Sequence, residues 1–118
     1  MRYLIMVVHD GPQPKDVPGE LYEAMGSFVT KLTEDGTLVD AAGLGPVEEA
    51  KRIDLRGGQV TVVDGPFAES KEWIGGYFLV RVDSEEEALD VARGSIALHR
   101  EHFPGFDVTH EVRKIQQE

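Results

Sequence analysis

Asp64-Gly65-Pro66-Phe67-Ala68-Glu69-Ser70-Lys71-Glu72 joins the two most strand-like stretches of the chain, Gln59-Val60-Thr61-Val62-Val63 and Gly75 to Val82. Its residues are those of a turn. The Asp64 side chain is suited to bond the backbone two residues on, Gly65 accepts unusual dihedrals, and Pro66 fixes its own φ while pushing Gly65 towards extended geometry. Phe67 follows as an apolar anchor. Once this stretch is read as a turn between strands, the segments on either side fall into a regular order.

Upstream, Arg52 to Arg56 and Gln59 to Val63 alternate in polarity around Gly57-Gly58, a two-residue connection favoured in hairpins. Before them, Thr37 to Ala42 reads as a strand, closed by Gly43-Leu44-Gly45-Pro46. Leu21, Met25, Phe28, Val29 and Leu32 recur at helical spacing, so residues Pro18 to Asp35 form an amphipathic helix, with Asp16 as its cap and Gly36 as its stop. Arg2 to Val8 is apolar at almost every position and predicts a central strand, broken by the loop His9 to Pro14.

Downstream, Gly75 to Val82 places Tyr77, Leu79 and Arg81 on one face and Phe78, Val80 and Val82 on the other. Ser84-Glu85-Glu86-Glu87 has capping-box spacing, with the Ser84 hydroxyl accepting from Glu87 and the Glu87 carboxylate returning the bond. Ala88, Val91, Ala92 and Ile96 carry the buried stripe of this second helix to about residue 99. Phe103-Pro104-Gly105-Phe106 ends it, and Val108 to Ile115 forms the last strand.

The order β-α-β, hairpin, β-α-β places both helices on one side of an antiparallel sheet, an α+β fold in a single domain over residues 1–118. The other side is uncovered. Because the strands from Arg2 and from Gly75 are apolar on both faces, the reverse of the sheet predicts a partner, most simply a second copy meeting it about a two-fold axis. Such packing leaves a cavity between sheet and loops where a site would lie.

Asp64-Gly65-Pro66-Phe67, Ala68 to Glu72 and Gly75-Gly76-Tyr77-Phe78, together with Met1-Arg2-Tyr3-Leu4, Gly43 to Pro46 and Glu111-Val112-Arg113, resemble the DGPF branch of the YCII-related family. The resemblance implies a ferredoxin-like split β-α-β fold with an inserted β-hairpin, dimerising through its sheets as a dimeric α+β barrel. It also implies a biochemical role that is largely undefined, and relatives linked to extracytoplasmic-function sigma factors, so a sigma-factor-related protein is an alternative partner. The wider family is credited with a His and Asp pair whose histidine comes from the first helix. Residues Pro18 to Asp35 contain no histidine, so that pair does not carry over.

Composition narrows the chemistry. The chain has 118 residues, 22 acidic and 12 basic, for a net charge of -10, which repels phosphate backbones and anionic lipid. Nucleic-acid and membrane partners are not expected. The opening residues show no charged-then-apolar signal pattern and no apolar run reaches about 20 residues, so the expected location is the cytoplasm. With no cysteine there is no disulfide, thiolate or cysteine-ligated metal chemistry. His99 and His102 have i, i+3 spacing, too little for a metal site, and no cofactor loop occurs.

A small-molecule site, enzymatic or ligand-binding, is one reading, beside a non-catalytic interaction module and a purely structural domain. Asp64, held by a rigid turn, and His99, on the buried face of the second helix, are the candidate acid and base. Ligand-binding candidates are His9 and Asp10 after the first strand, Phe67 and Lys71 in the turn, and Trp73, the one tryptophan, as a stacking platform. Tyr77, Arg81 and His110 complete the set from the strands. Glu69 and Glu72 accompany Lys71 at the same loop.

Overall fold

The computed structural model describes residues 1–11, 14, 16–67 and 72–116 of the chain. In order the elements are β1 (Arg2–Asp10), α1 (Gly19–Glu34), β2 (Leu38–Gly43), a 3-10 turn (Val47–Glu49), β3 (Lys51–Arg56), β4 (Gln59–Asp64), β5 (Glu72–Arg81), α2 (Glu85–His102) and β6 (Thr109–Lys114). A four-stranded sheet runs β2-β5-β1-β6 with every neighbouring pair antiparallel, and β3-β4 forms a separate two-stranded ribbon. The fold is α+β with an antiparallel sheet and two helices. The shortest dimension, 19 Å, matches one layer of helix on one sheet.

Alternation along the central strands sorts their side chains. Tyr3 and Ile5 of β1 and Phe78 and Val80 of β5 are buried and pack with Leu32 of α1 and with Ala88, Val91 and Ala92 of α2. Ile5 and Val80 are fully removed from water, each contributing about 2 kcal/mol of apolar burial. Phe28 meets Phe78 edge to face at 6.0 Å, locking α1 onto the sheet. On the reverse face Leu4, Met6, Val8 and Leu79 are only half-buried and Ile74 is exposed, so no described element covers them fully.

Several local expectations are corrected. β1 continues through His9 and Asp10, because both pair with β5, opposite Trp73 and Glu72. β5 begins at Glu72 rather than Gly75, and the register shift between Val7 and Val8 leaves Gly75 as the extra residue of a bulge. Pro18, not Asp16, occupies the cap position of α1, and no side chain bonds the orphan amides there. α2 runs on through His102. Its Ser84 cap accepts from the Glu87 amide as expected, at 3.2 Å, but the Glu87 carboxylate reaches one residue further back, to the Asp83 amide at 2.9 Å. Gly57 and Gly58 take φ of 57° and 80°, the mirror-image turn that matches the twist of a hairpin.

The ribbon carries an apolar face of its own. Ile53 stands opposite Val62 and Leu55 opposite Val60, so all four side chains share one side, and all are well exposed. No described helix is long and apolar enough to cross a membrane.

Candidate functional site

The Asp64 to Phe67 turn is docked on the 3-10 turn rather than free in solvent. The Gly65 amide donates to the Ala50 carbonyl at 2.8 Å. A side chain at Gly65 would run into backbone: a Cβ there would lie against the Val47 carbonyl oxygen and 2.9 Å from that of Ala50. The Gly65–Pro66 peptide is cis. Asp64 does not bond the backbone two residues on, since Pro66 has no N–H to give. Its carboxylate instead accepts from Lys51 Nζ at 2.7 Å, pairing the two ends of the ribbon. Phe67 is buried beneath the Arg52 guanidinium, 3.8 Å above its ring.

This docking walls an outer cavity of about 530 Å³, bounded by Val47, Ala50, Arg52, Phe67, Trp73 and His9. His9 and Trp73 are cross-strand partners at the end of β1 and β5. Both carry a buried nitrogen, Nδ1 of His9 and Nε1 of Trp73, without a hydrogen-bond partner among the described residues. Each such orphan costs about 1–3 kcal/mol, so two on paired residues mark a place where polar bonding is unfinished. Gly75 makes room for the imidazole, because a Cβ there would stand 3.1 Å from His9 Nε2.

His9 also borders an inner cavity of about 430 Å³ between α1 and the sheet, with Met25, Phe78, His99, Phe103 and Phe106 around it. Phe103 and Phe106 stack at 4.6 Å, and Phe106 lies 5.9 Å from the His9 ring. His99 is 8% exposed, and its Nδ1 sits 2.8 Å from the Ser95 carbonyl one turn earlier on α2. The Ser95 hydroxyl, wholly buried, bonds His110 Nε2 at 2.7 Å. The His99 and His110 rings meet edge to face at 5.5 Å. His110 is pushed down to about 4, first by burial and then by the neighbouring His99. It is a neutral imidazole at neutral pH.

A family model of the YCII-related domain matches residues 1–103. This chain belongs to the YCII-related family. An uncharacterized protein of Rhizobium meliloti (strain 1021) is 43% identical over 63 residues, which cover 53% of this chain and 51% of that protein. The chain thus matches about half the length of that curated relative.

In this YCII-related protein the residues singled out from sequence separate into groups. His9, Phe67 and Trp73 come together at the outer cavity. His9, His99 and Tyr77 border the inner one. His110 joins His99 through Ser95, behind the inner cavity. Asp64 is not brought to His99; it stands exposed at the base of the ribbon. Asp10 is exposed opposite Glu72, and Arg81 is exposed opposite Arg2. Tyr77 donates its hydroxyl to Asp40 Oδ2 at 2.7 Å, and this bond, with burial, pushes its phenol up. Lys71 and Glu69 lie outside the described residues.

Three features of the site escape a reading by sequence. Ser95 links two histidines, and only its i, i+4 spacing to His99 hints at it. Phe103 and Phe106 read as helix terminators but stack beside His9. Gly43 of β2 stands opposite Gly76 of β5, and with Ala41, Ala42 and Gly75 they border the inner cavity, a set of small residues whose joint effect needs the strand register.

Proposed function

We propose that this YCII-related protein binds a small carbonyl-bearing molecule in the outer cavity, against the Asp64 turn. One observation carries this reading: His9 and Trp73, cross-strand partners that both border a cavity large enough for a ligand of one or two rings, each hold a buried nitrogen with no hydrogen-bond partner among the described residues. The indole N–H is a donor only, so its complement is an acceptor oxygen. Glu49 and Glu72 border the cavity against the one cation Arg52 among the described residues, a net negative lining that favours a neutral carbonyl over a carboxylate. Trp73 is the one tryptophan, so its emission reports this site directly. Titration with small aromatic ketones and amides is expected to shift or quench that emission saturably, and Phe67→Ala to weaken the response about tenfold by removing the ring beside the ligand. Unchanged emission across such a panel at millimolar concentration would sink the proposal.

The same reading includes a homodimer of ferredoxin-like halves joined sheet to sheet. The strand order and the half-wet Leu4, Met6, Val8 and Leu79 support it. Met6 sits between Tyr77 and Glu111 near the middle of that face. Met6→Lys is expected to convert a dimer in equilibrium sedimentation to a monomer with unchanged circular dichroism. A wild-type chain that sediments as a monomer at micromolar concentration refutes the dimer.

A further inference from the structure

We infer that the inner cavity is a second binding site, selective for a neutral aromatic or enolic hydroxyl, which donates its hydrogen bond to Nε2 of His99. The space has a cause in the sequence. Ala41, Ala42 and Gly43 of β2 and Gly75 and Gly76 of β5 floor it, and none carries a side chain larger than methyl. The strands are too close there to accept more, since a Cβ at Gly76 would lie 2.8 Å from the Ala42 carbonyl oxygen. Above this floor α1 presents Leu21, Met25 and Val29, which do not fill the gap of about 430 Å³.

The polar character of the site follows from one hydrogen bond. His99 Nδ1 faces the carbonyl oxygen of Ser95 at 2.8 Å, and a carbonyl only accepts. The Nδ1 atom therefore holds the proton, and in the neutral ring Nε2 holds a lone pair. Among the described residues no hydrogen bond to that lone pair is formed. A ligand that satisfies it must donate, as a phenol or an enol does and as an ether, ester or ketone does not. Among the described residues no lysine or arginine borders the cavity, which disfavours an anionic ligand. The flanking Phe78, Phe103 and Phe106 suit a planar apolar body. Trp73 is not part of this wall, so the inference does not rest on the outer cavity.

The test uses 2-naphthol and its methyl ether, equal in ring and differing in the donor. Nitrogen-15 and proton NMR of the full chain follows the His99 ring during each titration. The expected result is saturable binding of 2-naphthol with a shift of His99 Nε2 away from its free lone-pair value, and affinity for the ether at least tenfold lower. His99→Phe, which keeps the ring volume and removes the acceptor, is expected to bring the two affinities together. The wild-type nitrogen shift gives the same information should that variant fail to fold. Equal affinities in the wild type, binding that leaves His99 unmoved, or no binding of either compound at millimolar concentration each overturns the inference.

Discussion

Gly65→Ala is expected to lower the stability of the fold by about 3 kcal/mol, read as a drop in the urea midpoint at unchanged slope. The added methyl has no flexible neighbour to displace, because the atoms it collides with are the backbone carbonyls of Val47 and Ala50, while the Phe67 ring at 3.5 Å is in ordinary contact. Relief requires the 3-10 turn to move off the Asp64 turn, and that movement breaks the Gly65 amide bond to Ala50. The same step unroofs Phe67, whose burial depends on Arg52 lying over it. Gly45→Ala is the control in the neighbouring loop: its Cβ meets only the Glu49 carboxylate, at 3.6 Å, so little change is expected there. A loss under 1 kcal/mol in Gly65→Ala would show that the two turns part easily, and the outer cavity would then lack a fixed wall.

Element types were legible where the chain repeats one physical requirement at a regular interval. The unbroken apolar run of β1, the 3.6-residue stripe of α1 and the Gly57-Gly58 turn each state their structure locally. Ends were less legible. His9 and Asp10 look like loop because they are polar and precede Gly11, yet pairing with Trp73 and Glu72 keeps them in the strand. The site was legible in its parts and not in its assembly. Spacing along α2 puts His99 on the buried face, but its meeting with His110 is set by the β1-β6 register, in which Val7 stands opposite His110. Register is a long-range property and no local pattern states it. Asp64 shows the converse, for it belongs to the most distinctive stretch of the sequence and its carboxylate bonds an exposed lysine. What the turn contributes to the cavity passes through Gly65 and Phe67.

Acid is expected to weaken the protein through His110 in a window that runs from about pH 6.5 down to about 4. The ordinary imidazole value is 6.5 and the folded value about 4, so between them the unfolded chain takes up a proton that the native one refuses. Stability from this group is therefore complete above 6.5, falls as the pH drops, and levels off below 4. After discounting for the partial exposure of the ring the loss is about 2 kcal/mol. His110→Gln keeps a polar partner for Ser95 and removes the titration. Urea unfolding at pH 7 and at 4.5 should then show the wild type losing about 2 kcal/mol more than the variant, with the carboxylates cancelling in the difference. Parallel losses, or an NMR midpoint for His110 near 6.5, would refute this account. The consequence reaches the inner cavity, because charging His110 sets a cation beside a ring only 5.5 Å away whose Nδ1 is tied to the same serine. The backbone of Thr109 favours the charged ring but is outweighed by burial and by His99, so relief comes by parting the two rings, and the orientation of His99 is lost with it.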